Sequence, residues 1–215
     1  MPEALPTDTY LTLDQPGEGY LTEKRSRFPA FAMHVDSEEE AKAVVAQYKK
    51  KYYDARHVCY AYVIGDHGER TRSNDDGEPS GSAGVPILGR LRAAGLTYAL
   101  VIVVRYFGGV KLGTGGLAVA YKTAAAEAIA AATVKECIVK ARFQVEVPYA
   151  DADVMQRFVK EADADIVERN YTDKGVIAAI SIRLTGEAAL RTRLAQILSL
   201  KVSKQADEYT SYSYK

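Results

Sequence analysis

The chain has 215 residues, 47% of them hydrophobic, so it can form one large domain or two small ones. Its formal net charge of +0 at pH 7 argues against broad, non-specific binding of nucleic acid, which depends on neutralising many phosphates, but is compatible with a local basic patch. Neither a membrane-spanning segment nor a secretion signal is evident, so we expect a cytoplasmic protein with no membrane partner.

The first part of the chain is predicted to alternate strands and helices. Residues 1–18 carry several Pro, Asp and Gly residues and are predicted to form a loop or loose arm. Asp36 or Ser37 is expected to cap a helix, because three glutamates follow and would lie in its positive first turn. The other predicted elements are strands at 20–23, 28–35, 57–64 and 70–72, a helix at 85–96, a buried strand at 100–104 and an Ala-rich helix at 117–132.

A second domain is predicted to begin near Glu136, which divides the chain into residues 1–136 and 137–215. Its predicted elements are a strand at 138–147, a helix at 151–162, strands at 165–171 and 176–184, a helix at 187–198 and a strand from 202. This βαββαβ order is the split βαβ, ferredoxin-like plan. Residues 137–215 are therefore expected to fold alone, with Tyr209, Tyr212 and Tyr214 along the last strand or in a polar tail.

Residues 105–116, called the glycine loop below, join the buried strand to the Ala-rich helix and carry most of the candidate chemistry. Glycines allow φ > 0 and close approach to a ligand, and unpaired N–H groups at a helix start bind anions. The spacing matches neither a P-loop nor a dinucleotide fingerprint, and a plain strand-to-helix turn is the alternative. The candidate binding residues in this segment are Arg105, Tyr106, Gly108, Gly109, Lys111, Gly113, Gly115 and Gly116.

Particular roles are expected for several of these residues. Arg105 and Lys111 flank the glycines and could neutralise a phosphate. Tyr106 and Phe107 could stack on bases of single-stranded RNA, although Phe107 is more readily expected to close over the core. At least one of Gly109, Gly113 and Gly116 should adopt φ > 0, with Thr114 capping the helix.

Residues 75–84, called the acidic loop below, offer further candidates. Asp75, Asp76 and Glu78 could bind a metal or act as acid and base; alternatively they form a solvated turn or supply a carboxylate partner for Arg105. His57 and Cys59 should face the same side of a strand, with Cys59 buried and His57 a binding residue if it reaches these carboxylates. Since cysteines and histidines are few and scattered, we expect no metal and no cofactor.

The chain resembles the YigZ/Impact family in three segments: His57 to Tyr62, Asp75 to Pro86, and Val103 to Leu117. The resemblance implies an N-terminal domain similar to domain four of the translocation elongation factor and to a small-subunit ribosomal protein. It also implies a C-terminal ferredoxin-like domain similar to domain five of that factor. Eukaryotic relatives restrain a starvation-responsive kinase of translation initiation by binding its ribosome-associated activator. Val119 stands where many family members carry a basic residue.

The expected fold class is therefore α+β in two domains. The expected function is that of a non-enzymatic, translation-associated regulatory protein that contacts RNA or the ribosome through the glycine loop and the acidic loop. One alternative is an enzyme that binds a nucleotide or another small molecule with the glycine loop as a phosphate cradle, although no nucleophile–base–orienter set supports it. Another is an adaptor that docks on another translation factor. The sequence leaves the oligomeric state open.

Overall fold

The computed structural model describes residues 8–196 and the backbone of residues 201–203 and 210–213. Its internal contacts divide the chain into an N-terminal unit, Tyr10–Glu136, and a C-terminal unit that begins at Cys137 and also includes Asp8 and Thr9. Both units contain helices and strands, which confirms the α+β fold class. No helix among the described residues is long and apolar enough to cross a lipid bilayer.

The chain from Thr9 to Ala131 forms six strands and three helices. The elements are β1 (Thr9–Gln15), β2 (Gly17–Glu23), β3 (Ser26–His34), α1 (Glu38–Lys51), β4 (His57–Ile64), β5 (Arg70–Asn74), α2 (Gly84–Ala93), β6 (Ala99–Arg105) and α3 (Gly113–Ala131). Ser37 caps α1, as predicted, because its Oγ accepts the N–H of Glu40 at 3.1 Å. The loose arm predicted for residues 1–18 is wrong from Thr9 onward, since the apolar side chain of Leu13 is buried in the core and holds β1.

The five strands from β2 to β6 form one antiparallel sheet. Their order across the sheet is β2-β3-β6-β4-β5. The central strand β6 is buried on both faces, as its apolar run predicts. Val101 and Val103 pack with α2 and α3, whereas Ile102 and Val104 pack with α1 on the opposite face. By this alternation the side chain of Arg105, at the end of β6, points to the α2–α3 face.

The C-terminal unit has the predicted βαββαβ order. Its elements are β7 (Thr133–Pro148), α4 (Ala152–Glu161), β8 (Asp165–Tyr171), β9 (Gly175–Arg183), α5 (Leu184–Ala195) and β10 (Lys201–Ser203), followed by β11 (Thr210–Ser213). Strand β7 pairs with β9 and with β10, and β8 pairs with β9, which is the strand arrangement of a ferredoxin-like domain. The side chains of Tyr209, Tyr212 and Tyr214 lie outside the described residues.

Asp8 belongs to the C-terminal unit through buried polar contacts. Its Oδ2 accepts from Thr185 Oγ1 at 2.6 Å and from Arg183 Nε at 3.1 Å, and its carbonyl accepts the N–H of Val139. Burial opposes ionisation of this carboxyl, but Thr185 and Arg183 outweigh that effect and lower its pKa. A fragment of residues 137–215 would lack these contacts, so its independent folding stays a prediction.

Candidate functional site

A cavity of about 570 Å³ opens in the N-terminal unit where β4 begins, β6 ends and α3 begins. Its volume is within the usual range of small-molecule sites. Its basic lining residues are Arg56, Arg105 and Lys111, and its apolar ones are Pro79, Phe107, Leu112 and Leu117. His57, Glu78, Gly113 and Thr114 complete the lining. The glycine loop and the acidic loop therefore meet at this cavity, although Asp75 and Asp76 do not line it.

A buried ion pair lies at the side of the cavity. Arg105 Nη1 donates to Glu78 Oε1 at 2.6 Å, and the Tyr121 hydroxyl donates to the same oxygen at 2.8 Å. Both charged residues are buried, with 5% of Arg105 and 8% of Glu78 exposed. The interpretation of Arg105 as the partner of an acidic-loop carboxylate is therefore correct, and that carboxylate is Glu78.

One nitrogen of the Arg105 guanidinium, Nε, is buried without a hydrogen-bond partner among the described residues. The guanidinium carbon lies 5.6 Å from the ring centre of Phe107 and 5.7 Å from that of Phe28. The guanidinium thus places a positive charge beside the cavity, while its Nε lies beneath the surface and is not exposed to a ligand.

The start of α3 supplies further donors to the cavity. The N-cap residue of this helix, Leu112, makes no side-chain capping hydrogen bond to the described residues, while Gly113 and Thr114 of the first turn line the cavity. The prediction that Thr114 caps the helix is wrong, because α3 begins at Gly113 and Thr114 already lies inside the first turn. Uncapped N–H groups and the helix dipole favour an anion here.

The predicted positive φ values are confirmed at two glycines of the glycine loop. Gly109 has φ +86° and Gly113 has φ +72°, whereas Gly116 is not in this region. A Cβ on Gly113 or Gly115 would meet no described atom within 4 Å, so open space adjoins the backbone there. Crowding therefore does not explain Gly113 or Gly115, and a plain strand-to-helix turn accounts for the positive φ of Gly113 but not for Gly115.

The carboxylates of the acidic loop are engaged by the protein itself. Asp75 accepts the N–H groups of Gly81, Ala83 and Gly84 at 2.8 to 2.9 Å. Burial opposes its ionisation, but these backbone hydrogen bonds prevail and lower its pKa. Asp76 binds Lys49 and accepts the N–H of Val58 at 2.7 Å.

The acidic loop therefore behaves as a structural turn. Asp76 and Gly77 both have positive φ, and the N–H of Glu78 donates to the carbonyl of Asp75 at 2.9 Å. No group of acidic, histidine and cysteine side chains in the described part of the chain could hold a metal ion.

His57 and Cys59 lie on the same side of β4, but they do not form a nucleophile pair. Cys59 is fully buried, with its Sγ 3.1 Å from the carbonyl oxygen of Asp75 and 3.4 Å from the Tyr121 hydroxyl. Burial raises the pKa of this thiol, which stays protonated and unreactive at neutral pH.

The imidazole of His57 faces the cavity in a defined orientation. Its Nδ1 lies 2.8 Å from the carbonyl oxygen of Asp76, and since a carbonyl only accepts, Nδ1 carries the proton. In the neutral ring Nε2 is then an acceptor, 3.8 Å from Glu78 Oε1. His57 is thus a lining residue beside the ion pair, as its predicted proximity to the acidic loop implied.

The aromatic residues of the glycine loop differ from expectation. Phe107 is 50% exposed at the cavity, so its predicted burial is wrong: the last inward position of β6 is taken by Arg105, which leaves Phe107 beside the guanidinium. Tyr106 is not among the lining residues; its hydroxyl donates to Asp54 at 3.0 Å and the guanidinium of Arg27 lies 4.7 Å from its ring centre.

Sequence reasoning missed Arg56, an exposed residue whose N–H donates to the carbonyl of Arg105 at 2.9 Å. It also missed Lys24 and Arg25, exposed residues at the turn between β2 and β3. The pairing that brings His57 opposite Arg105 joins residues far apart in the chain. No local pattern could have shown it.

Comparison with known proteins agrees with this fold. Residues 24–129 match the model of the Impact N-terminal domain, and residues 145–199 match a domain of unknown function, DUF1949. IMPACT family member YvyE of Bacillus subtilis is 42% identical over 56% of this chain and 56% of its own length. IMPACT family member YigZ of Escherichia coli is 35% identical over 69% of this chain and 74% of its own length.

A crystal structure described as that of a hypothetical protein is 29% identical in sequence, covers 94% of this chain and 99% of its own, and superposes with a TM-score of 0.66. The alignment with the Bacillus subtilis relative spans little more than half of that protein. The matched domains and the identity to these relatives lead to one conclusion: the chain belongs to the Impact family.

Proposed function

We propose that this protein is a regulator of translation and that it contacts RNA or the ribosome through the cavity between the glycine loop and the acidic loop. Membership of the family supports the translational role, because the resemblance to the YigZ/Impact family implies a role in regulating translation. The observation that carries the contact site is the convergence of free cations, an uncapped helix start and an exposed aromatic ring at one cavity.

The charges at the cavity favour a phosphate. Glu78 is neutralised by Arg105, whereas no carboxylate of the described residues lies within ion-pair distance of Arg56 or Lys111. Both of these side chains are exposed. A phosphate placed at the start of α3 would meet both cations together with the first-turn N–H groups.

Phe107 gives the same site a means to hold a base. Its ring is half exposed, borders the cavity and lies beside the guanidinium of Arg105. Stacking of a base on an exposed aromatic ring contributes about 1–3 kcal/mol in complexes with single strands. The proposed ligand is therefore the backbone and unpaired bases of RNA, free or within the ribosome.

Removing the free cations tests this proposal. The variant Arg56→Gln with Lys111→Gln should bind RNA and ribosomes at least about tenfold more weakly, and its salt dependence should flatten by about 1.4 in log–log slope for a single strand. Fluorescence anisotropy with labelled RNA and cosedimentation with ribosomes are the measurements. Arg105 is unsuitable here, because its loss would leave Glu78 buried without its partner.

The control carries the same change of charge elsewhere in the N-terminal unit. Arg70→Gln with Arg72→Gln alters exposed residues of β5, the edge strand of the sheet, which contributes no lining residue to the cavity. This control should bind like the wild-type chain. If the cavity variant also retains full binding, the cavity is not the contact site and an adaptor role is favoured.

A further inference from the structure

We propose that the bound RNA is a single strand that leaves the cavity across the turn between β2 and β3, where Lys24 and Arg25 hold its neighbouring phosphates. This inference rests on the proposed function and specifies its partner: a strand of several nucleotides rather than a mononucleotide or a duplex. The term hairpin tip is used below for Lys24 and Arg25.

The hairpin tip is fixed in place by the glycine loop. A Cβ on Gly108 would lie 2.0 Å from the carbonyl carbon of Arg25, so only glycine allows this backbone contact. The N–H of Gly108 donates to Ser26 Oγ at 3.1 Å, and the backbones of Arg27 and Tyr106 exchange hydrogen bonds at 3.0 and 2.9 Å. The tip therefore stands directly beside the segment that holds Phe107 at the cavity.

The two basic residues occupy positions that favour other residue types. Glu23 pairs with Ser26, so Lys24 and Arg25 form a two-residue turn, with φ of +44° and +66°. Positive φ at both positions is the type I′ conformation, which prefers Asn and Gly. The turn thus presents two charged side chains at some cost in backbone energy.

The charges of this surface are mostly basic and uncompensated. Lys24 and Arg25 are exposed, and no ion-pair partner for either is found within the described ranges. Arg27 is exposed and its guanidinium lies over the ring of Tyr106, whose hydroxyl donates to Asp54; Glu23 is the acidic residue next to the turn. Because Arg27 pairs with Tyr106 and Arg56 hydrogen-bonds to Arg105, the hairpin tip and Arg56 lie at the same end of the five-stranded sheet, next to the cavity.

Two features favour a single strand over a duplex or an acidic protein. An exposed aromatic ring at the cavity can stack only on a base that is not already paired. The uncapped start of α3 offers N–H donors in a recess, which suits a phosphate on a flexible strand. Successive phosphates then reach the cavity and the hairpin tip in turn.

The test uses a variant that removes both charges without harming the turn. Lys24→Asn with Arg25→Gly places the preferred residues at the two turn positions, so the fold should be retained or stabilised. Binding of uridine monophosphate and of uridine oligomers of increasing length would be measured by NMR titration and fluorescence anisotropy. The wild-type chain should bind oligomers more tightly than the mononucleotide, and the variant should lose about tenfold in affinity for oligomers alone.

The outcomes separate this inference from the proposed function. Lys24→Gln with Arg25→Gln should reproduce the loss, while Arg56→Gln with Lys111→Gln should weaken binding of mononucleotide and oligomer alike. If both hairpin variants bound the oligomers as tightly as the wild-type chain does, the hairpin tip would not be a contact. The cavity would then remain the proposed binding site. Tighter binding of duplex RNA or of polyglutamate than of the single strand would also overturn the inference. Failure of the wild-type chain to bind either RNA or ribosomes would overturn the proposed function itself.

Discussion

Helices α2 and α3 lie in the same unit, but the backbone N–H groups at their starts differ in whether the protein bonds them. At the start of α2, the Asp75 carboxylate accepts the N–H groups of Ala83 and Gly84, so the protein supplies its own anion. At the start of α3, no side chain of the described residues caps the helix, and cations surround an open cavity instead. The acidic loop thus has its N–H groups bonded within the protein, whereas the start of α3 leaves its N–H groups for the anion that we propose.

This difference separates charges that stabilise the fold from charges free to bind. Asp75 and Glu78 are bonded to backbone N–H groups or to Arg105, and their removal should cost stability. Arg56 and Lys111 are exposed, so their removal should cost binding alone. The three predictions that follow test the stability side of this comparison.

The largest effect is expected at the buried ion pair. Arg105→Gln should lower the free energy of unfolding by about 3–5 kcal/mol, because Glu78 would stay buried without its partner. Urea denaturation measures this loss, with Lys111→Gln as the control, for which a change within about 0.5 kcal/mol is expected. Adding Glu78→Gln to Arg105→Gln should restore part of the stability. Equal stability of Arg105→Gln and Lys111→Gln would contradict the structural role of Arg105.

A smaller, pH-dependent effect is expected at the start of α2. Asp75→Asn should cost about 2 kcal/mol at neutral pH, since it weakens charge-assisted hydrogen bonds to three N–H groups. The pKa of Asp75 is lowered from 3.8, so its stabilising contribution is complete above that value and is lost as the pH falls through the folded-state pKa. The gap between wild type and variant in urea titrations should therefore narrow in acid. A gap that stays constant across this range would argue that ionised Asp75 does not stabilise the loop.

The smallest effects are expected at a matched pair of glycines in the first turn of α3. Gly113→Ala should destabilise by about 1 kcal/mol, because its φ of +72° is strained for alanine. Gly115→Ala should stabilise by about 0.5 kcal/mol, because alanine favours the helix and its Cβ would meet open space. Thermal denaturation of the two variants provides the measurement. We expect the two changes in stability to have opposite signs. If both variants were stabilised or both destabilised, the conformation of Gly113 would not matter.

Much of the fold and part of the site could be predicted from the sequence. The buried strand β6, the cap at Ser37, the βαββαβ order and a positive φ in the glycine loop all follow from local periodicity and residue type. These features depend on neighbours within a few residues, which the sequence displays directly. Strand β1 was missed because Pro, Asp and Gly dominate its surroundings, while its stability comes from the burial of Leu13.

Which charges are buried and which are free was decided only by the tertiary structure. Arg105 and Lys111 look equivalent in sequence, but sheet alternation turns Arg105 toward Glu78, whereas Lys111 stays in solvent. Likewise Asp75 is close in sequence to Glu78, yet it bonds the start of α2 and does not reach the cavity. Such roles depend on contacts between segments distant in the chain, and side-chain type alone does not specify which partner a charge will meet. The sequence determined the local elements and a glycine loop with positive φ before α3; the packing of β4, β6 and α3 decided which residues surround the cavity.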